Sequence, residues 1–337
     1  MYERDITKIH LEITNRCNAA CPACPRTGDF KGKLAGHMVT SGWHDISLDD
    51  IKEIHSQVPK LEGVNLCGNF GDPAAAPDFF KIVNYFADNN ISVIVSTNGG
   101  PRTSKAWASI ARPNVKISFH IDGDEDTNHI YRVGTKWDKI MANAQAYLDA
   151  GGVGDWTLIP FKHNEHIIDK CEQLSKEMGF RQFKVKKSYR VGNNDSTSQP
   201  IELPVNKKYV NEYVHKNVNR DIICKAKDED EIYISADGDV APCCWTGSNM
   251  WQEKYKNPLS PKSPSIEKKY FVDFDNNFRT NPLGNIIDCY IGKTDQWETA
   301  WDCKAFGVCN KSCGTSKWLD RYQERKWEFG TYDGGIQ

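Results

Sequence analysis

Along residues 6–190 two hydrophobic periods alternate, and that alternation limits the fold more than any other feature of the chain. Residues 8–14 set Ile9, Leu11 and Ile13 on one face, the period of two expected of a half-buried strand. Residues 48–58 then place Leu48, Ile51, Ile54 and Val58 at helical spacing. The exchange recurs: residues 63–69 read as a strand ended by glycine, 78–90 as a helix, and 91–100 as a strand stopped by Asn98-Gly99-Gly100. After a helix near 103–111, residues 115–123 set Val115, Ile117, Phe119 and Ile121 against Lys116, Ser118, His120 and Asp122. A helix over 137–152 closes on glycine, and strands over 156–164 and 181–189 flank a helix over 165–179. Strand–helix repeats in this order predict an α/β fold whose parallel sheet is open or curled into a partial (β/α)6 barrel over residues 1–190.

The pattern then changes. Residues 191–204 are polar and contain proline, which predicts a linker over 191–220. Residues 230–245 read as a strand pair turning on Asp237-Gly238, and the charge run 225–231 as a solvated turn. Residues 254–269 read as a solvated loop and 316–329 as a charged helix, giving a small α+β domain over 221–337.

Composition narrows the class of partner. The net charge is −2, which argues against a nucleic-acid partner. No basic segment leads into an apolar run at the start, and no apolar stretch approaches the roughly 18 residues of a membrane span. A cytoplasmic protein with no membrane contact is expected. Its 12 cysteines then point to metal or catalytic duty and away from a disulfide framework.

Three of them, Cys17, Cys21 and Cys24, are spaced C-x3-C-x2-C directly after the first strand. A closed tetrahedral site wants four ligands, so the fourth is distant or deliberately absent. Other unusual residues also fall at predicted strand ends: Gly68, Gly71 and Asp72 after the second, Asn98 after the third, and Asp122 after the fourth. Reactive groups of β/α barrels gather at that rim.

The cysteine spacing, with these rim motifs, resembles the radical S-adenosylmethionine (SAM) superfamily over residues 6–190. The resemblance implies that Cys17, Cys21 and Cys24 hold three irons of a 4Fe-4S cluster and leave the fourth iron open to SAM. It further implies reductive cleavage of SAM to a 5′-deoxyadenosyl radical, which abstracts hydrogen from substrate. Gly68, Gly71, Asp72, Asn98, Ser118, His120, Asp122 and Arg132 become the expected SAM-binding residues. Asp72 stands where the family more often has glutamate, and Ala23 where it prefers an aromatic. An electron donor such as flavodoxin or ferredoxin is implied, and the resemblance names no catalytic side chain on the protein itself.

The second half carries C-x13-G-x4-C from Cys224 through Gly238 to Cys243, then Cys303, Cys309 and Cys313 spaced C-x5-C-x3-C. This is similar to the twitch and SPASM domains that follow some radical SAM barrels. It implies one auxiliary 4Fe-4S cluster held by Cys224, Cys243, Cys309 and Cys313, with Cys244, Cys289 or Cys303 as substitutes. Within the family such clusters serve enzymes that modify peptides and enzymes that oxidise sugar alcohols. Few residues precede Cys17, too few for a separate peptide-binding domain, which leans toward a small-molecule or short-peptide substrate. RNA modification is a further alternative. A different class of protein also satisfies the cysteines alone: a non-catalytic zinc module, with His37 completing the first site. Cys171, on a helix face with Ile167, Ile168, Leu174 and Met178, reads as core. Cys67 reads first as a small buried hydrophobe at a strand end, and second as a hydrogen-atom donor.

Overall fold

Strand β1 (Lys8–Leu11) lies inside a sheet ordered β6-β5-β4-β3-β2-β1-β7-β8. The structure is a computed structural model that describes residues 6–27, 33–187, 201–210, 224–255, 275–288, 309 and 313. Strands β2 (Gly63–Leu66), β3 (Ser92–Thr97), β4 (Val115–His120), β5 (Val153–Leu158), β6 (Gln182–Val185) and β7 (Glu231–Ile234) run parallel to their neighbours, and β8 (Val240–Ala241) pairs antiparallel with β7. The sheet is open: β6 and β8 are its two edges among the described residues. The parallel α/β fold read from the alternating periods is therefore present.

Between the strands come α1 (Gly36–Ser41), α2 (Leu48–Gln57), α3 (Phe79–Asp88), α4 (Ser104–Ala108), α5 (Asn128–Tyr131), α6 (Trp137–Asp149) and α7 (Ile168–Glu177), followed by α8 (Lys225–Asp228), α9 (Cys244–Lys254) and α10 (Leu283–Ile286). Helix α2 starts on a capping box in which Ser47 and Asp50 each satisfy the other's backbone N–H, a device that stabilises a helix start by about 1 kcal/mol. The sheet face toward these helices is apolar: Ile9, Leu11, Val64, Val93, Ile117 and Phe119 are all fully buried. Trp107 fills the space between α3 and β4, with its ring 5.8 Å from that of Phe79 and 5.5 Å from that of Phe119. Each such ring contributes roughly 1.5–3 kcal/mol by leaving water.

The opposite, concave face is polar. Along β4, buried residues alternate with the half-buried Lys116, Ser118 and His120, and β3 offers Ser92 and Ser96 in the same manner. Period two thus separates a core that holds the barrel together from a lining that meets solutes.

Several boundaries differ from the sequence expectation. Strand β5 starts at Val153, three residues early, because Gly154 pairs in register with Ile117 although it offers no side chain to the periodic pattern. The charge run 225–231 is not a solvated turn: it forms α8, and Glu231 opens β7 only 6% exposed. Glu229 there pairs with Lys8 at 3.7 Å and Lys225 at 3.6 Å. The strand pair expected around Asp237-Gly238 is β7–β8, and β7 extends the barrel sheet beside β1. Part of the expected linker is packed: Ile201 is 3% exposed. The predicted helix over 316–329, most of the loop 254–269, Cys289 and Cys303 lie outside the described residues.

Candidate active site

The chain leaving β1 turns back on itself through local hydrogen bonds. Cys24 N–H donates to Cys21 C=O at 3.1 Å and Thr27 N–H to Cys24 C=O at 3.0 Å, so the last two cysteines sit on successive turns. Ala19 N–H points at Cys17 Sγ (3.4 Å), Asn98 Nδ2 lies 3.9 Å from the same sulfur, and Arg132 Nη1 lies 3.8 Å from Cys21 Sγ. Cys17, Cys21 and Cys24 share one apolar cluster with Ala19, Ala23, Tyr131, Phe161, Ile201 and Leu203. Burial, with Asp72 nearby, pushes the Cys17 thiol up to about 12, and burial pushes Cys21 up to about 11 although Arg132 opposes it. Thiols this basic keep their protons until a cationic centre takes up the charge, as a thiolate-bound iron cluster does.

In donor chemistry, three thiols on the one loop after β1 suit a 4Fe-4S cube. A 4Fe-4S cube takes one thiolate per iron, so its ligands surround it instead of meeting at a point. A zinc site of Cys17, Cys21, Cys24 and His37 needs that meeting. His37 instead packs edge-on against Phe70, ring centroids 5.3 Å apart.

The residues expected to bind SAM gather on the same rim, in two linked groups. Asp72 is buried, with Oδ2 accepting from Asn98 N–H (2.7 Å) and Asn98 Nδ2 (2.6 Å). Its Oδ1 accepts from Thr97 Oγ1 (2.8 Å) and Ala74 N–H (3.0 Å). Asn98 Nδ2 also reaches Asn18 Oδ1 at 2.8 Å, so Asp72 positions Asn98 against the cysteine loop. In the second group Arg132 Nε donates to Asp122 Oδ2, and Asp122 Oδ1 accepts from Ile159 N–H at 2.6 Å. Against the desolvation that would lower it, Asp122 and Cys21 hold the Arg132 guanidinium above its ordinary value, so it stays charged beside the thiols. Ser118 Oγ lies 3.0 Å from Thr157 Oγ1 on the concave face, and His120 follows it at the end of β4.

Gly68 and Gly71 are tight for a reason the sequence did not disclose. A Cβ at Gly71 would stand 1.9 Å from Thr14 O, and one at Gly68 would stand 2.4 Å from Gly71 O and 2.9 Å from Glu12 Oε1. The rim loop therefore packs by backbone against the entry to the cysteine loop. Glu12, which continues the concave-face period of His10, holds the rim loop through Phe70 N–H and Gly71 N–H, a role that its place in the sequence does not single out.

A second cysteine neighbourhood lies beside β7. Cys224 precedes α8, Cys243 precedes α9 and Cys244 begins it. Burial raises the Cys243 thiol, and nearby Cys244 and Cys309 raise it further. Burial likewise pushes Cys313 up to about 11, with Cys224 and then Cys244 close enough to add to it. Cys224, Cys243, Cys309 and Cys313 therefore share one neighbourhood with Cys244. His10 lies beside the Cys244 and Cys67 side chains. Cys67 follows β2 half-buried, and Cys171 is core on α7.

Residues 11–173 match the radical SAM superfamily. That stretch is a radical SAM domain. Over 172 residues it is 26% identical to the mycofactocin maturase MftC of Mycobacterium ulcerans (strain Agy99), covering 50% of this chain and 44% of that protein. The MftC of Mycobacterium tuberculosis (strain ATCC 25618 / H37Rv) is 25% identical over 176 residues, 50% of this chain and 41% of its own. The match thus spans less than half the length of these relatives. In fold, the chain is similar to Streptococcus suis SuiB bound to S-adenosylmethionine, with a TM-score of 0.53 at 15% identity over 84% of this chain and 68% of that one. SuiB bound to the precursor peptide SuiA gives a TM-score of 0.51 at 14% identity, over 83% and 66%. With the family identified as one of enzymes, the non-catalytic zinc module is set aside. Among the described residues no helix is long and apolar enough to cross a membrane.

Proposed function

We propose that this radical SAM enzyme cleaves SAM reductively and abstracts a hydrogen atom from a peptide substrate. The single observation that carries the reading is the placement of Cys17, Cys21 and Cys24 in one shielded cluster at the carboxyl end of β1, on the rim shared with Asn98 and Arg132. A bound 4Fe-4S cluster with SAM on its open iron would supply the electron transfer and the 5′-deoxyadenosyl radical. The protein's own part is to hold three thiolates, to keep water away with Phe161, Ile201 and Leu203, and to present donors to the co-substrate. Gly68 and Gly71 shape the rim, Asn98 and Arg132 face the cysteine sulfurs, and Asp72 and Asp122 orient them. Ser118 and His120 line the concave face below.

The auxiliary site is assigned to Cys224, Cys243, Cys309 and Cys313 as one 4Fe-4S cluster of a twitch or SPASM-type domain over 221–337, reached from the barrel at 1–190 through 191–220. Five cysteines in one neighbourhood support that assignment and leave Cys244 as the alternative fourth ligand. A peptide is favoured over a small molecule because the curated relatives are maturases and a neighbour in fold was captured with a precursor peptide. Cytoplasmic residence and reduction by a flavodoxin or ferredoxin complete the reading.

The test is anaerobic reconstitution with iron and sulfide, then SAM and dithionite, followed by chromatographic assay for 5′-deoxyadenosine. Wild type forms it and Cys21→Ala does not; a reconstituted, iron-replete wild type that forms none overturns the reading.

A further inference from the structure

A buried hydrogen-bonded unit joins the rim loop to the auxiliary cysteines, and neither site needs it for its own ligands. Glu12, 1% exposed, lies just past β1. Its Oε1 accepts from two consecutive backbone donors, Phe70 N–H at 2.7 Å and Gly71 N–H at 3.0 Å. Its Oε2 accepts from the Tyr233 hydroxyl on β7 at 2.6 Å. That hydroxyl in turn accepts from Asn69 Nδ2 at 3.2 Å, and the same Nδ2 donates to the Cys244 carbonyl at 2.9 Å. Steric fit reinforces both ends. A Cβ at Gly68 would stand 2.9 Å from Glu12 Oε1, and one at Gly247 on α9 would stand 2.2 Å from the Tyr233 ring. Each substitution would force the unit apart, so three chain segments meet with no slack.

Such a unit is costly to half-satisfy. Any member left behind would strand a buried donor or acceptor, so a displacement of one is felt by its neighbours. One member, Asn69, belongs to the loop Gly68–Asp72, and another bond ends on the first residue of α9. We infer that Glu12, Tyr233 and Asn69 are positioning residues that tie the rim loop Gly68–Asp72 to the start of α9 at Cys243 and Cys244, so that ordering of the rim by SAM is passed to the auxiliary cysteine helix. This rests on the proposed SAM site at that rim.

The test is hydrogen–deuterium exchange by mass spectrometry on anaerobically reconstituted protein, without reductant, with and without SAM. In wild type SAM slows exchange in peptides covering 66–72 and also in those covering 244–254. In Asn69→Ala, which removes the bond onto the Cys244 carbonyl, the protection at 66–72 persists, while that at 244–254 falls about three- to fivefold. Tyr233→Phe, which keeps that bond and removes only the contacts of the hydroxyl, gives a smaller fall in the same direction and serves if Asn69→Ala does not hold iron. Glu12→Gln, which keeps an acceptor for Phe70 and Gly71, retains more of the distant protection than Glu12→Ala. Protection at 66–72 alone in wild type overturns the coupling and leaves the SAM site standing. So does protection at 244–254 that is unchanged in both Tyr233→Phe and Asn69→Ala. No protection at 66–72 in wild type overturns the SAM site itself.

Discussion

The two cysteine neighbourhoods of this chain use the same residue type under opposite chain statistics. Cys17, Cys21 and Cys24 lie within eight residues and are shaped by short-range bonds such as Cys24 N–H to Cys21 C=O. Cys224, Cys243, Cys309 and Cys313 come from segments far apart in sequence. Closing longer loops costs more entropy, growing slowly with length, so the second group depends more on whatever binds it. The first site is written locally; the second is gathered.

The comparison breaks most visibly under ligand removal. If the second cluster is held by the four thiolates proposed for it, Cys21→Ala should abolish 5′-deoxyadenosine formation while keeping about half of the iron. Cys313→Ala should lose a similar share and still cleave SAM; iron analysis beside the product assay separates the two. Withholding iron sharpens the contrast. Limited proteolysis of the apoprotein should cut within 224–313 about tenfold faster than in the reconstituted protein, with 33–187 surviving in both.

Next in size is the buried pair at the first site. Arg132→Ala leaves Asp122, which has no exposed side-chain surface, without its cation, and should destabilise the protein by about 3–5 kcal/mol in denaturant titration. Ile201 links the expected linker to the first cysteine cluster. Ile201→Ala should cost about 2 kcal/mol and speed loss of the iron chromophore in air, whereas Val205→Ala, at an exposed position, should do neither.

The smallest effect concerns pH and lies away from both sites. Burial would raise the Asp155 carboxyl, but hydrogen bonds from Arg181 and the charges of Lys184, Arg181 and Lys116 outweigh it and hold it below its ordinary value. A carboxyl lowered in the folded state contributes stability above its unfolded pKa, about 3.9, that is lost as pH falls through the folded value. Thermal melts of wild type should therefore fall more steeply below about pH 4 than those of Asp155→Asn, which has no such group to protonate.

Much of the barrel was legible because each strand carries its own period. β4 is the clearest case, with Val115, Ile117 and Phe119 inward and Lys116, Ser118 and His120 on the concave face. The spatial neighbour of β1 was not legible: β7 pairs with it across more than two hundred residues, and no local pattern records a long-range partner. The same limit hid Tyr233 as the partner of Glu12. Ile201 and Leu203 fall in the expected linker, since two apolar residues among polar ones show no period, yet they pack against the cysteines. Glycine at 68 and 71 suggests close approach of backbone to a ligand, whereas the atoms that fill the space beside them are the protein's own.

On the proposed function, the cysteine loop after β1 leaves one iron open for SAM. Low-temperature electron paramagnetic resonance of the dithionite-reduced, reconstituted enzyme tests it directly. Addition of SAM should change the g-values of a reduced 4Fe-4S signal that is present in Cys313→Ala and missing in Cys21→Ala. A signal from the first cluster that is indifferent to saturating SAM would contradict the account.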